Sequence, residues 1–383
     1  MFHQENSNFN QNSSIMTKSL YAVVLIVAMI SCQSDKKNES ETSEQSDTTV
    51  QAVTTDNDFF SENGRLVTPD TYPTDETSRQ ILKGQSMVGI NKFNHNRKLT
   101  PTNQQPVVRM NRDTYYSMAV VDVSKGATIV MPEIPEGKYM SVQPVTEDHR
   151  IQKMMYGPGS FDLSTHTGTH LYLVVRLDGT FTEAEAKEIQ DQMSIKANSN
   201  ILFATEPINE ESFSKVESEL KAKVAVIVKR DGNNAMKGMF TNPRDESAND
   251  FTVEKYQVGA AAGWGGAQLT DNIYESSGDF PTNSCYQLTF EDPNNGAFWS
   301  ITVYDKVGFM FNDLANYSSN TAKRNSDGTY TISFGCGEGS PNNLAIDNPS
   351  NEFNILARHY RPSKRVIEEG YRIVPLIKAV PSR

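Results

Sequence analysis

The chain has 383 residues, with 36 Lys and Arg against 47 Asp and Glu, a net charge of -11. That length suggests two or more domains, and the acidic balance argues against a nucleic-acid footprint or a basic membrane patch. After residue 31 no apolar run approaches the length of a membrane span.

Residues 20–30 are apolar apart from Tyr21, with Lys18 before them and Ser31-Cys32 after. A charged start, an apolar stretch too short to span and a processing point make a targeting signal over residues 1–31. Residues 1–15 hold no Lys or Arg, so Met16 is the expected initiator. A cysteine at that boundary resembles the lipobox of bacterial lipoproteins, which makes Cys32 the expected lipidation site. The expected partner is therefore a membrane, reached through lipid on Cys32. The expected location is the bacterial cell envelope, on its periplasmic or cell-surface face. From residue 33 to about 58 the chain carries seven acids, two lysines and few apolar residues. Such a segment cannot offset its ordering entropy, so a disordered acidic tether over 32–58 is expected.

A helix is predicted over 72–90, capped by Thr74 or Asp75 after Pro73. Residues 91–105 read as a polar loop. From Val107 the apolar period falls to two, and strands are predicted over 115–123, 127–131, 139–144 and 170–177. Three helical stretches follow. The first, 181–193, opens with Thr182 and Glu185 in a capping-box spacing. The others cover 210–228 and 250–266, the last crowded with Ala and Gly that let a backbone or a ligand approach closely. Strands return over 285–290, 297–304, 329–334 and 353–360, with Asp292 to Gly296 read as a hairpin turn. The expected fold is mainly β with a helical connector (α+β). It comprises two antiparallel β-sandwich or jelly-roll modules, over 59–180 and 276–383, joined by a mostly helical 181–275. With Cys32 lipidated, Cys285 and Cys336 remain. An exported protein could oxidise them, but in a simple meander they fall at opposite edges of the sheet, which disfavours a disulfide.

The run NRDTYYSMAVVDVS, then a strand ending at Pro132, then GKYMSVQPV, resembles the N-terminal module of a bacterial envelope family, domain of unknown function 1254. The segments WSITVYDKVGFMF, NSDGTYTI and FNILARHYRP resemble its companion, domain of unknown function 1214. The resemblance implies two β-sandwich modules with a helical portion between them. It implies no settled reaction, and no cofactor is expected. One departure is visible: relatives carry an Asn-Trp-Leu-Pro-like segment before the last strand, and residues 343–349 lack the Trp.

There is no G-x-S-x-G, H-E-x-x-H, Walker loop or C-x-x-C. The candidate chemistry lies in Asn111-Arg112-Asp113. Arg112 could grip a carboxylate or sugar hydroxyls and Asp113 could act as base or acceptor, or the pair could tie a loop to a strand. Tyr115 and, from the C-terminal strands, Trp299, Tyr304 and Arg358 with Tyr360 form an aromatic and polar set suited to a glycan or small molecule. The alternative for these is a packed core. His149, His166 and His170 are weak metal candidates, since three imidazoles are the minimum for a catalytic zinc. Two function classes remain: a lipoprotein that binds a small molecule or glycan, and an envelope hydrolase of a glycan or ester, possibly metal-assisted.

Overall fold

The computed structural model describes residues 51–105 and 108–380. The signal, Cys32 and most of the acidic stretch lie outside the described residues. The end of that stretch is docked on the body: Val53 exchanges two backbone hydrogen bonds with Thr205.

The N-terminal half runs β1 (Phe60–Arg65), α1 (Tyr72–Val88), β2 (Lys92–His95), β3 (Thr114–Asp122), β4 (Ala127–Met131), β5 (Met140–Thr146), β6 (Met155–Tyr156), β7 (Gly159–Leu163), β8 (His170–Asp178), α2 (Glu183–Gln192) and β9 (Ser194–Ala197). Then come α3 (Glu210–Asp231) and α4 (Val253–Gly263). The C-terminal half runs β10 (Asn272–Ser276), β11 (Phe280–Pro281), β12 (Cys285–Glu291), β13 (Trp299–Asp305), β14 (Asn316–Ser318), β15 (Thr329–Phe334), β16 (Asn343–Leu344), β17 (Glu352–Tyr360), α5 (Lys364–Ile367) and β18 (Ile377–Val380).

The N-terminal module is a five-stranded antiparallel sheet, β2-β3-β8-β5-β6, over a three-stranded one, β7-β4-β9. Alternation along β3, β5 and β8 aims Tyr115, Val121, Val142, Leu173 and Leu177 into the core between them, which α2 closes with Ala186 and Ile189. Thr182 caps α2 with Glu185 in the predicted box. The N-cap position of α1 is Thr71, ahead of the expected Thr74 or Asp75, and its side chain makes no capping hydrogen bond; Pro73 lies inside the first turn, where a missing N–H costs nothing. The segment 91–105 is not all loop. Lys92–His95 pairs with β3 as an edge strand. The other face of the large sheet carries a second core, where Val120, Tyr172 and Val174 pack under α1, α3 and α4.

The C-terminal module is a sandwich of β10-β17-β13-β14 on β16-β15-β12-β18, and among the described residues no sheet closes into a barrel. Two local readings are corrected here. Residues 292–296 do not close a hairpin, because β12 pairs with β15 and β18, while β13 pairs with β14 and β17. The chain crosses between sheets at that loop. The crossing leaves β12 beside β15, with Tyr286 opposite Phe334. Cys285 and Cys336 therefore meet at one end of that pair, with Cα atoms 4.7 Å apart, and form a disulfide.

Candidate functional site

The β10-β17-β13-β14 sheet has one face in its own sandwich core and the other against the N-terminal module. Parity sorts the residues. Ile301, Val303, Ile355 and Ala357 face the sandwich, and Tyr274, Ser300, Tyr304, Arg358 and Tyr360 face the seam. The two facing sheets carry matching rows. Across β3, β8 and β5, Tyr116 stands opposite Arg176 and Arg176 opposite Ser141. Across β10, β17 and β13, Tyr274 stands opposite Arg358 and Arg358 opposite Ser300. Each module thus places one arginine on a central strand, with a tyrosine on one side and a serine on the other.

The C-terminal row is satisfied. Asp113, at the threshold of β3, reaches across the seam with its side chain fully buried. Its carboxylate accepts from Ser300 Oγ at 2.6 Å, Tyr360 Oη at 2.9 Å and Asn316 Nδ2 at 2.7 Å. Arg358 Nη1 lies 3.9 Å from it. Arg358 also donates to Thr302 Oγ1 at 3.0 Å, to the Tyr304 hydroxyl at 2.7 Å and to the Arg109 carbonyl at 2.7 Å. Burial works against its charge, and the buried Asp113 carboxylate beside it supplies the counter-charge. A buried ion pair persists when its remaining donors and acceptors are met in this way.

The N-terminal row is not satisfied. Arg176 is 7% exposed. Its one hydrogen bond to protein among the described residues runs from Nη1 to Gln143 Oε1 at 2.8 Å, and it takes part in no ion pair there. Gln143 is itself held by the Gly265 carbonyl at the end of α4, 2.7 Å away. A guanidinium has five N–H donors, so most of this one's capacity is unused. Its neighbours have the same surplus. Thr114 Oγ1, Tyr139 Oη and Ser141 Oγ are buried without a hydrogen-bond partner. Tyr116 Oη accepts from Asn111 Nδ2 at 2.9 Å and keeps its own proton to give. Burial pushes the Tyr139 phenol up to about 12, so it remains a donor at neutral pH. Buried polar groups left unmatched cost free energy.

Two clefts touch the seam. One, of about 410 Å³, is lined by Lys138, Tyr139, Tyr156, Phe298 and Arg361. The other, of about 470 Å³, has Tyr274 and Leu356 in its wall. Tyr139 stacks edge-on against Phe298 and Tyr360, which themselves lie parallel at 4.1 Å. These rings bind the modules beside the polar rows.

Of the residues singled out in the sequence, Asn111, Asp113, Tyr304, Arg358 and Tyr360 meet at the seam. Arg112 does not pair with Asp113. It turns the other way and donates to the Thr100 carbonyl at 2.7 Å. Tyr115 faces the N-terminal core and donates to the Phe181 carbonyl. Trp299 is fully buried in the C-terminal sandwich between Phe290 and Tyr330, one residue out of phase with Ser300. His149, His166 and His170 serve separate contacts, to the Gly265 amide, Asp148 and the Ile201 carbonyl. Among the described residues no three His, Cys, Asp or Glu gather at one point. Arg176, Gln143, Tyr139, Ser141 and Tyr274 are not singled out by the sequence. The signal for Arg176 is a lone cation inside the apolar strand LYLVVRLD.

A family model described as a protein of unknown function (DUF1254) matches residues 90–189, and another, also of unknown function (DUF1214), matches residues 270–364. The chain belongs to the DUF1254–DUF1214 family. Its Arg176 row lies within the DUF1254 match and its Arg358 row within the DUF1214 match, so the seam is where the two matched domains meet. No curated protein matches the chain. A crystal structure of the VPA0106 protein from Vibrio parahaemolyticus is similar over 82% of this chain and 98% of that one, at 17% identity and a TM-score of 0.61, a likeness of fold. A crystal structure of an uncharacterized protein from Burkholderia cenocepacia aligns over 81% of this chain and 87% of that one, at 13% identity and a TM-score of 0.45.

Proposed function

We propose that this protein binds a small molecule carrying an oxyanion, held between its DUF1254 and DUF1214 domains, at a cell envelope to which lipid on Cys32 anchors it. The observation that carries the binding reading is Arg176, a nearly buried cation with one protein acceptor, set among hydroxyls that lack partners. A fold that retains such a group without an internal counter-charge gives up stability for it, as binding sites commonly do. Asp113 favours binding over hydrolysis. Three donors already occupy its oxygens, which leaves little capacity to take a proton from a substrate. The anchor rests on the leader sequence; no helix among the described residues is long and apolar enough to cross a membrane.

The test is a thermal-shift and calorimetric screen of the purified protein against small carboxylates, phosphates and sulfates, with neutral sugars as a contrast. Binding of at least one anion class should be lost in Arg176→Met, whose own melting temperature should stay close to the parent value or rise. A screen in which neutral sugars bind and no anion does, or in which Arg176→Met binds the anion unchanged, overturns the reading.

A further inference from the structure

Resting on the oxyanion site at Arg176, we propose that its ligand is an unbranched, single-headed carboxylate amphiphile, with its head among Arg176 and the seam hydroxyls and its chain running past Tyr274 into the cleft beside α3 and α4.

Tyr274 belongs to both places. On β10 it stands in the row of Arg358, and its ring also forms part of the 470 Å³ cleft. Its hydroxyl makes no hydrogen bond to protein among the described residues, so it is free to meet a guest at the junction. Burial pushes the phenol up, while Arg176 and Arg358 pull it down, which places it within the field of both guanidinium groups. Leu356, two residues from Arg358 and on the same face of β17, lines the cleft as well.

Beyond Tyr274 the character of the wall changes. Val224 and Val228 of α3, Met236 and Met239 of the following turn, and Ala262 of α4 line it. The volume falls within the roughly 300–1,000 Å³ usual for small-molecule sites. Methionine adapts its shape to a flexible chain better than branched side chains do. Two charged groups stand in the wall, and both are engaged with protein: Glu275 accepts from His359 and from the Ile373 and Val374 amides, and Arg372 donates to the Val366 and Tyr371 carbonyls. A site with surplus donors at one end and aliphatic walls at the other is complementary to one charged head on one apolar chain. A sugar, with hydroxyls along its whole length, would leave them unmatched against the valines and methionines.

The experiment titrates hexanoate, octanoate, decanoate and dodecanoate, each below its aggregation threshold, into the purified protein, with dodecanol as the headless control. Affinity should tighten about threefold to fourfold for each methylene that enters the cleft. Dodecanol should bind at least tenfold more weakly than dodecanoate. In Ala262→Trp, at an exposed position where a larger side chain obstructs the cleft without disturbing the core, the chain-length gain should vanish while hexanoate binding persists. Arg176→Met should remove the preference for dodecanoate over dodecanol. An affinity that stays flat from hexanoate to dodecanoate, yet still depends on Arg176, overturns the amphiphile and leaves the oxyanion site standing. Chain-length gain that survives Ala262→Trp overturns the route through the cleft. Failure of every carboxylate to bind overturns the amphiphile, and the anion screen described above then decides separately whether the site takes another oxyanion.

Discussion

Asp113 and Tyr360 are 247 residues apart in sequence, yet the Tyr360 hydroxyl donates to Asp113 Oδ2 at 2.9 Å in the buried seam. The carboxylate collects three hydrogen bonds from the C-terminal module and is the principal polar tie between the two halves. Asp113→Ala should cost roughly 3–5 kcal/mol, because it leaves Arg358 buried without its counter-charge. Tyr360→Phe should cost only about 1–2 kcal/mol. Urea denaturation followed by tryptophan fluorescence checks both values. An Asp113→Ala loss under 1 kcal/mol would show the tie to be incidental.

The two arginines should respond oppositely to the same substitution. Arg358→Met strands Asp113 and should destabilise by roughly 3–5 kcal/mol. Arg176→Met removes a buried cation that lacks an internal counter-charge, and should leave stability within about 1 kcal/mol or raise it. Paired melting curves without ligand measure the contrast. Equal losses in the two variants would contradict the reading of the two rows as satisfied and unsatisfied.

His149 gives a pH dependence. Burial, with Arg150 adding to it and Asp148 opposing, lowers its pKa to about 3. Its Nε2 accepts from the Gly265 amide, so the neutral ring is built into the fold. Between pH 6.5 and about 3 the unfolded chain binds this proton and the native one does not. Stability therefore rises with pH in that window and is lost as pH falls through it, by at most roughly 4–5 kcal/mol at the acid end. His149→Gln retains an acceptor without the titration. Its stability between pH 6.5 and 4 should fall less steeply than that of the parent protein.

The Cys285–Cys336 bond closes a segment with a sequence separation of 51. Restricting a loop of that length in the unfolded chain stabilises the fold by about 4 kcal/mol in the chain-entropy view. A Cys285→Ser, Cys336→Ser double variant should lose that amount, and a reducing agent should lower the parent melting temperature while leaving the variant unchanged.

What was legible in the sequence was local. The α2 cap is written in Thr182 and Glu185, the ends of a four-residue span that decides its own conformation. The strand β4 matches its expected span of 127–131 because alternation and flanking turns define it. What was not legible depends on where the chain goes between elements. Asp292 to Gly296 has the composition of a hairpin turn, but β13 leaves for the other sheet. That crossing is also what brings Cys285 to Cys336. At the seam, the sequence grouped Asp113 with Arg112, which turn opposite ways in the fold, and could not tell Trp299 from its neighbour Ser300 without the strand's orientation. Arg176 and Arg358 each look like an isolated cation in an apolar strand. Only the stacking of two sheets reveals them as counterparts.

That correspondence has an engineering consequence. The DUF1214 row already holds an acid supplied by the chain itself, so Asp113 acts as a permanently tethered guest. Installing an equivalent acid beside the other guanidinium, for example Ser141→Asp directly across from Arg176, would build a self-plugged variant: firmer when heated, and deaf to any anion added from outside.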